Sequence, residues 1–95
     1  MRKVKVIYSG RVQGVGFRMT TQQIAFRFEV SGTVCNVSDG TVELVAVGAQ
    51  QELSQFLAAI DERFSRNIEN ALIDWSDGRL GEFIGFSVLP DKWGG

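Results

Sequence analysis

The sequence predicts an α+β fold in which two helices lie on one face of an antiparallel sheet. Three observations carry that expectation. Apolar and charged residues alternate over Lys3–Ser9, as in a half-buried strand. Two β-branched runs, Thr33–Val37 and Thr41–Val47, flank Ser38-Asp39-Gly40, which signals a hairpin. Leu53, Phe56, Leu57 and Ile60 recur at the spacing of one helical face.

Along the chain, Val4, Val6 and Tyr8 fall on one side of the first strand, and Lys3, Lys5 and Ile7 on the other. The glycine-spaced stretch Gly10–Gly16 follows as a loop. Phe17, Ile24, Ala25 and Phe28 then share a helical face, and Ser31-Gly32 breaks it. After the hairpin, Gly48 ends the third strand and the second helix runs to about residue 63. Ala71–Trp75 and Phe83–Leu89 read as two more strands with an Asp77-Gly78 turn between them. Pro90 and Gly94-Gly95 close the chain. The order β-α-β-β-α-β plus a final, fifth strand is the ferredoxin-like sandwich, two split β-α-β units joined by a hairpin. Without linker, repeat or low-complexity segment, residues 1–95 read as one domain.

Composition narrows the function. The chain of 95 residues is 44% hydrophobic and 22% charged, ordinary for a globular domain. No apolar run is long enough to cross a bilayer, and the start lacks a signal-peptide apolar region. Cys35 stands alone, so no internal disulfide forms, and a cytoplasmic chain is expected. The absence of histidine excludes imidazole bases and imidazole zinc sites, and one thiol excludes multi-cysteine sites. Net charge of -1 speaks against nucleic-acid binding. Yet Arg2, Lys3, Lys5, Arg11, Arg18 and Arg27 all precede the first acid, Glu29. That asymmetry fits either a solvated basic edge strand or a positive field around an anion site.

The segment Gly10-Arg11-Val12-Gln13-Gly14-Val15-Gly16-Phe17-Arg18 lies between a strand and a helix. Its glycines allow successive N–H groups to converge, and the helix adds its positive dipole end. Backbone N–H groups of Val12, Gln13, Gly14, Val15, Gly16, Phe17 and Arg18 thus form a candidate anion cradle, with the Arg18 guanidinium beside it. Taken alone, the stretch is equally a tight turn with one solvated arginine. It is no Walker A loop, since it ends Gly16-Phe17-Arg18, and Met19 stands where a dinucleotide fingerprint needs glycine. Asn36 falls near the end of the second strand, which the fold plan sets parallel to the first and so at the same edge as the loop. Its amide can orient a water but cannot take a proton. Taken alone, an asparagine here more often caps the turn. With no protein base in these motifs, the chemistry that fits is cleavage of a mixed anhydride. Such a substrate needs its phosphoryl oxygens held and a water aligned, and the phosphate itself can take the proton.

These residues resemble the acylphosphatase family. Gly10-x-Val12-Gln13-Gly14-Val15-x-Phe17-Arg18 matches its first signature, and Gly32-Thr33-Val34-Cys35-Asn36 with Gly40-Thr41-Val42 and Gly48 matches its second. Ala25 falls at the family's helix alanine, and residues 3–48 carry most of the likeness. The resemblance implies a metal-free hydrolase without cofactor, with Arg18 binding phosphate, Asn36 positioning water, and the amides of Val12–Arg18 as the cradle. The implied partners are a small acyl phosphate and inorganic phosphate as product or inhibitor; no nucleic acid, no membrane, and a monomer are expected. The chain departs from the family at Thr33 (usually aromatic), Cys35 (usually basic) and Glu29 (usually glycine), and lacks the usual Gly-Pro over Arg63–Glu69.

Two other functions stand beside the hydrolase: an anion-binding module of the same fold serving a larger assembly, and an RNA-binding sheet. The latter needs exposed aromatics on central strands, where the first strand offers only Tyr8. Strand alternation sets Cys35 opposite Asn36 as an inert thiol. Phe56 and Phe64 read as core, Trp75 and Trp93 as core packing or tail, and Asp39 and Asp77 as turn residues.

Overall fold

The alternation expected of the first strand organises the core. In the computed structural model, which describes residues 1–93, β1 spans Arg2–Gly10 and buries Val4, Val6 and Tyr8. These pair with Ala46, Leu44 and Val42 of β3 (Val42–Gly48), which are buried on the same face. α1 (Phe17–Ala25) turns Phe17, Thr21, Ile24 and Ala25 onto that face. α2 (Gln50–Arg63) adds Leu53, Phe56, Leu57 and Ile60. Phe17 packs between Tyr8 and Phe64, with ring centroids 5.1 and 4.6 Å away. Each such aromatic pair adds about 0.5–1.5 kcal/mol beyond the area it buries.

β2 (Val30–Asn36), β4 (Ile68–Asp77) and β5 (Phe86–Val88) complete a sheet of order β4-β1-β3-β2-β5. β1 and β2 are both antiparallel to β3, and so parallel to each other, with α1 crossing between them. β3 and β4 are related in the same way around β1, with α2 as their crossover. This is the ferredoxin-like plan. It puts the carboxyl ends of β1 and β2 at one edge, with β3 beginning between them.

The end of the chain departs from expectation. β5 pairs with β2 in parallel, through Gly32 with Phe86 and Val34 with Val88, so the sheet is mixed rather than wholly antiparallel. β4 and β5 lie on opposite edges, so Asp77-Gly78 is no turn between neighbours; the Gly78 N–H donates to the Met1 carbonyl instead, at 2.9 Å. The expected Ala71–Trp75 strand extends to Ile68–Asp77, and the expected Phe83–Leu89 strand shrinks to Phe86–Val88. The cause is the edge position: β4 is mostly exposed, and the polar Glu69 and Asn70 hide its period. Gly94-Gly95, read as the chain's close, lie outside the described residues.

Residues 79–85 pass over the face that the helices leave open. There Lys3 ion-pairs with Glu82 and lies 5.9 Å from the Phe83 ring centre, and the Gly32 N–H donates to Gly85 at 2.9 Å. The basic residues of β1 therefore do not form a solvated edge: β1 is interior, and its cations pair with acids from later in the chain. Arg2 meets Asp77 at 2.7 Å and Lys5 meets Glu43 at 3.6 Å. Nor does the sheet offer a stacking platform for RNA bases, since Tyr8 is buried against the helices.

The Thr21 hydroxyl is buried without a hydrogen-bond partner among the described residues. Thr21→Val keeps the shape and removes that stranded oxygen. It should stabilise the fold by about 1 kcal/mol, raising Tm by roughly 4–8 °C. A thermal melt with an unchanged or lower Tm would contradict this reading.

Candidate active site

Val12 and Phe17 are both buried in the main core, and they pin the two ends of the loop. Between them Gly14 and Gly16 adopt φ of 75° and 78°, a left-handed backbone that other residues enter at a cost. A Cβ at either position would meet nothing within 4 Å, so backbone angle rather than space calls for glycine there. Gly16 is also the N-cap of α1, and no side chain caps this helix. The first internal bond of the turn runs from the Thr20 N–H to the Gly16 carbonyl, at 3.0 Å.

The consequence is a run of free donors. Among the described residues, the backbone N–H groups from Val12 to Arg18 have no acceptor within the protein. The same stretch borders a pocket of about 120 Å³ walled by Val12, Gly14, Gly16, Phe17, Arg18 and Met19. A helix N-terminus carries about half a positive charge. Several neighbouring donors without partners in such a field suit an anion with several oxygens.

Arg18 sits in the first turn of α1 with about a third of its side chain exposed. One guanidinium nitrogen lies 3.2 Å from Asp91 Oδ1. Asn36 ends β2 and faces the helices, since it pairs with the buried Val42. Its side-chain oxygen is buried and has no partner among the described residues. Its backbone carbonyl accepts from the Lys92 N–H at 2.9 Å. Arg18 therefore contacts Asp91, and Asn36 contacts the next residue. The structure thus brings the loop, the end of β2 and segment 91–93 to one corner of the molecule. Gln13 fastens the same corner: its side-chain nitrogen donates to the Val37 carbonyl at 2.9 Å and the Thr41 carbonyl at 2.8 Å.

Sequence reasoning placed Gln13 here for its backbone alone and gave Asp91 no part. No local pattern ties Gln13 to carbonyls 24 and 28 residues on, or Arg18 to a carboxylate 73 residues on. The remaining singled-out residues separate from the site. Cys35 points away from Asn36, on the face of its partner Glu43. Burial first, then the Glu43 charge, pushes its thiol pKa up, against smaller opposing effects of Lys92 and Arg18. Asp39 accepts from the Thr41 N–H and hydroxyl, a turn role. Phe56 and Phe64 are core, Trp75 packs against it, and Trp93 is exposed beside a cleft lined by Gln13, Val37 and Lys92. No group of metal-ligating side chains occurs among the described residues, and no described helix is long and apolar enough to cross a membrane.

The chain thus has a ferredoxin-like fold with a run of unpaired backbone donors, among the described residues, where β1 leads into α1. A family model described as acylphosphatase matches residues 4–88, and the chain belongs to that family. An acylphosphatase from Salinibacter ruber is 43% identical over 89 residues, 92% of each chain. One from Listeria welshimeri is 50% identical over 52 residues, which cover 55% of this chain and 56% of that protein. The crystal structure of the Bacillus subtilis acylphosphatase superposes with a TM-score of 0.84 at 34% identity, covering 94% of this chain and 99% of that one.

Two expectations follow. Asp91→Asn removes a carboxylate that would oppose a bound anion across Arg18, so inorganic phosphate should bind about 2- to 5-fold tighter, the scale of one exposed ion pair. Titration calorimetry would show this; weaker binding would mean that Asp91 instead holds the guanidinium in place. Cys35, with its thiol kept protonated, should resist iodoacetamide at pH 7.5 until the chain is unfolded. Rapid alkylation of the native protein, read by mass spectrometry, would contradict that.

Proposed function

We propose that this chain hydrolyses the carboxyl–phosphate bond of acyl phosphates, giving a carboxylate and inorganic phosphate. The carrying observation is a run of N–H donors, unpaired among the described residues, in a loop that Gln13 ties to the chain directly after Asn36, whose own amide oxygen has no partner there. The amides of Val12–Arg18 and the Arg18 guanidinium hold the phosphoryl oxygens. These donors are fixed before substrate arrives, so the charge spread over those oxygens is met without reorganisation.

The Asn36 side-chain amide hydrogen-bonds a water and aims it at phosphorus, opposite the leaving carboxylate. The water oxygen forms the new P–O bond, and the bridging P–O bond breaks with its electron pair leaving on the carboxylate. The water's proton passes to a phosphate oxygen, so no protein base is required. A carboxylate leaves without protonation near neutral pH. The site's own charges suffice for this step, and neither metal nor cofactor takes part. We read the chain as a single domain that works as a cytoplasmic monomer, with inorganic phosphate as product and competing ligand.

Benzoyl phosphate hydrolysis in EDTA tests the assignment. Arg18→Ala should lower turnover by about 10²–10³-fold and weaken phosphate binding. Asn36→Ala should lower kcat and leave phosphate binding intact. Loss of phosphate binding in a folded Asn36→Ala protein would contradict the division of roles. Absence of turnover in the unaltered chain would leave an anion-binding module.

A further inference from the structure

Gln13 lies inside the cradle, yet its side chain points out of it to the neighbouring hairpin. Its carboxamide nitrogen uses both hydrogens, one on the Val37 carbonyl and one on the Thr41 carbonyl. Neither carbonyl lacks a donor without it. The Val37 carbonyl already accepts from the Gly40 N–H at 3.0 Å, and the Thr41 carbonyl from the Val37 N–H at 2.8 Å. Each carbonyl has two lone pairs, and Gln13 takes the second. The hairpin thus closes on its own bonds, and what Gln13 adds is a tie between two separate parts.

Those parts carry different halves of the site. The loop holds the phosphoryl cradle, and Val37 follows Asn36 directly in the chain. Between the loop's buried ends Gly14 and Gly16 face open space and Val15 is exposed, so this stretch adds no other side-chain tie to the hairpin among the described residues. Apart from Gln13, the loop's side-chain hydrogen bonds among the described residues amount to that between Arg18 and Asp91. On the far side, Asn36 is fixed by the Lys92 N–H on its carbonyl, and Ser38 by its own N–H on the Lys92 carbonyl. Gln13 adds a direct side-chain link from the loop to the chain that follows Asn36, beside the indirect route through Arg18, Asp91 and Lys92.

We propose that Gln13 is a positioning residue for the hydrolysis, whose carboxamide sets the place of Asn36, and hence of the attacking water, relative to the bound phosphoryl group. This rests on the hydrolase reading above. Reaction geometry is steep in distance, and a misplacement of about 1 Å costs about 100-fold in rate. The cradle itself stays intact when the side chain changes, because its donors are backbone groups.

The test is a double-mutant cycle with benzoyl phosphate, using Gln13→Met, which keeps length and loses both donors, with Asn36→Ala and the pair. Gln13→Met should lower kcat by about 10- to 100-fold, with KM and phosphate inhibition within a few-fold of the unaltered protein. In the Asn36→Ala background the same change should cost less than about 2-fold, since Gln13 acts through Asn36. Gln13→Asn keeps the carboxamide one methylene short and should reproduce the kcat loss without removing a polar group. An equal loss in both backgrounds, an unchanged kcat in Gln13→Met, or a weakened phosphate affinity at normal kcat would overturn the proposal. The unaltered chain and Asn36→Ala alone report on the hydrolase reading: with turnover present and lost in Asn36→Ala, failure of the cycle falls on Gln13 only. Absence of turnover in the unaltered chain overturns both.

Discussion

Backbone N–H groups left without partners between Val12 and Arg18 are the constraint on which the rest of the site depends. An unpaired donor shielded from water would cost about 1–3 kcal/mol, and the run avoids that cost because Gly14, Val15 and Gly16 are exposed. Here the run persists because both its ends are held elsewhere. Val12 and Phe17 are locked in the core, and Phe17 packs between Tyr8 and Phe64. The left-handed turns at Gly14 and Gly16 then keep the strand from sliding into the helix. Burial on one side thus maintains a donor-rich surface on the other.

The strand order explains how the loop and the end of β2 come together. Because β3 lies between β1 and β2, the chain after β1 and the end of β2 flank the start of one common neighbour. The span between them is short enough for one glutamine side chain to bridge. β5 extends the sheet beyond β2 and delivers Asp91 and Lys92 to the same corner. Acids from the later chain also take up the cations of β1, and Asp91 meets Arg18 at the loop in the same way.

The two halves of the molecule were unequally legible in the sequence. Val4, Val6 and Tyr8, the Asp39-Gly40 hairpin and the face of α2 could be read directly, because burial on one side imposes a period that local sequence must obey. The loop was legible through its glycines, and Arg18 and Asn36 through their positions beside it. β4 and β5 were misjudged, because edge strands are exposed on much of their surface and bear no strict alternation. Gln13 and Asp91 escaped for another reason. Their contacts are long in sequence and made by single side chains, so nothing near either residue encodes the partner.

An amide-resolved NMR titration with inorganic phosphate, at constant ionic strength held by chloride, tests the central claim most directly. If the loop is the phosphate cradle, the backbone amides of Val12–Arg18 move most and move together. Arg18→Ala should weaken that common response without shifting it to other residues. Shifts centred elsewhere on the sheet, or none at saturating phosphate, would contradict the account.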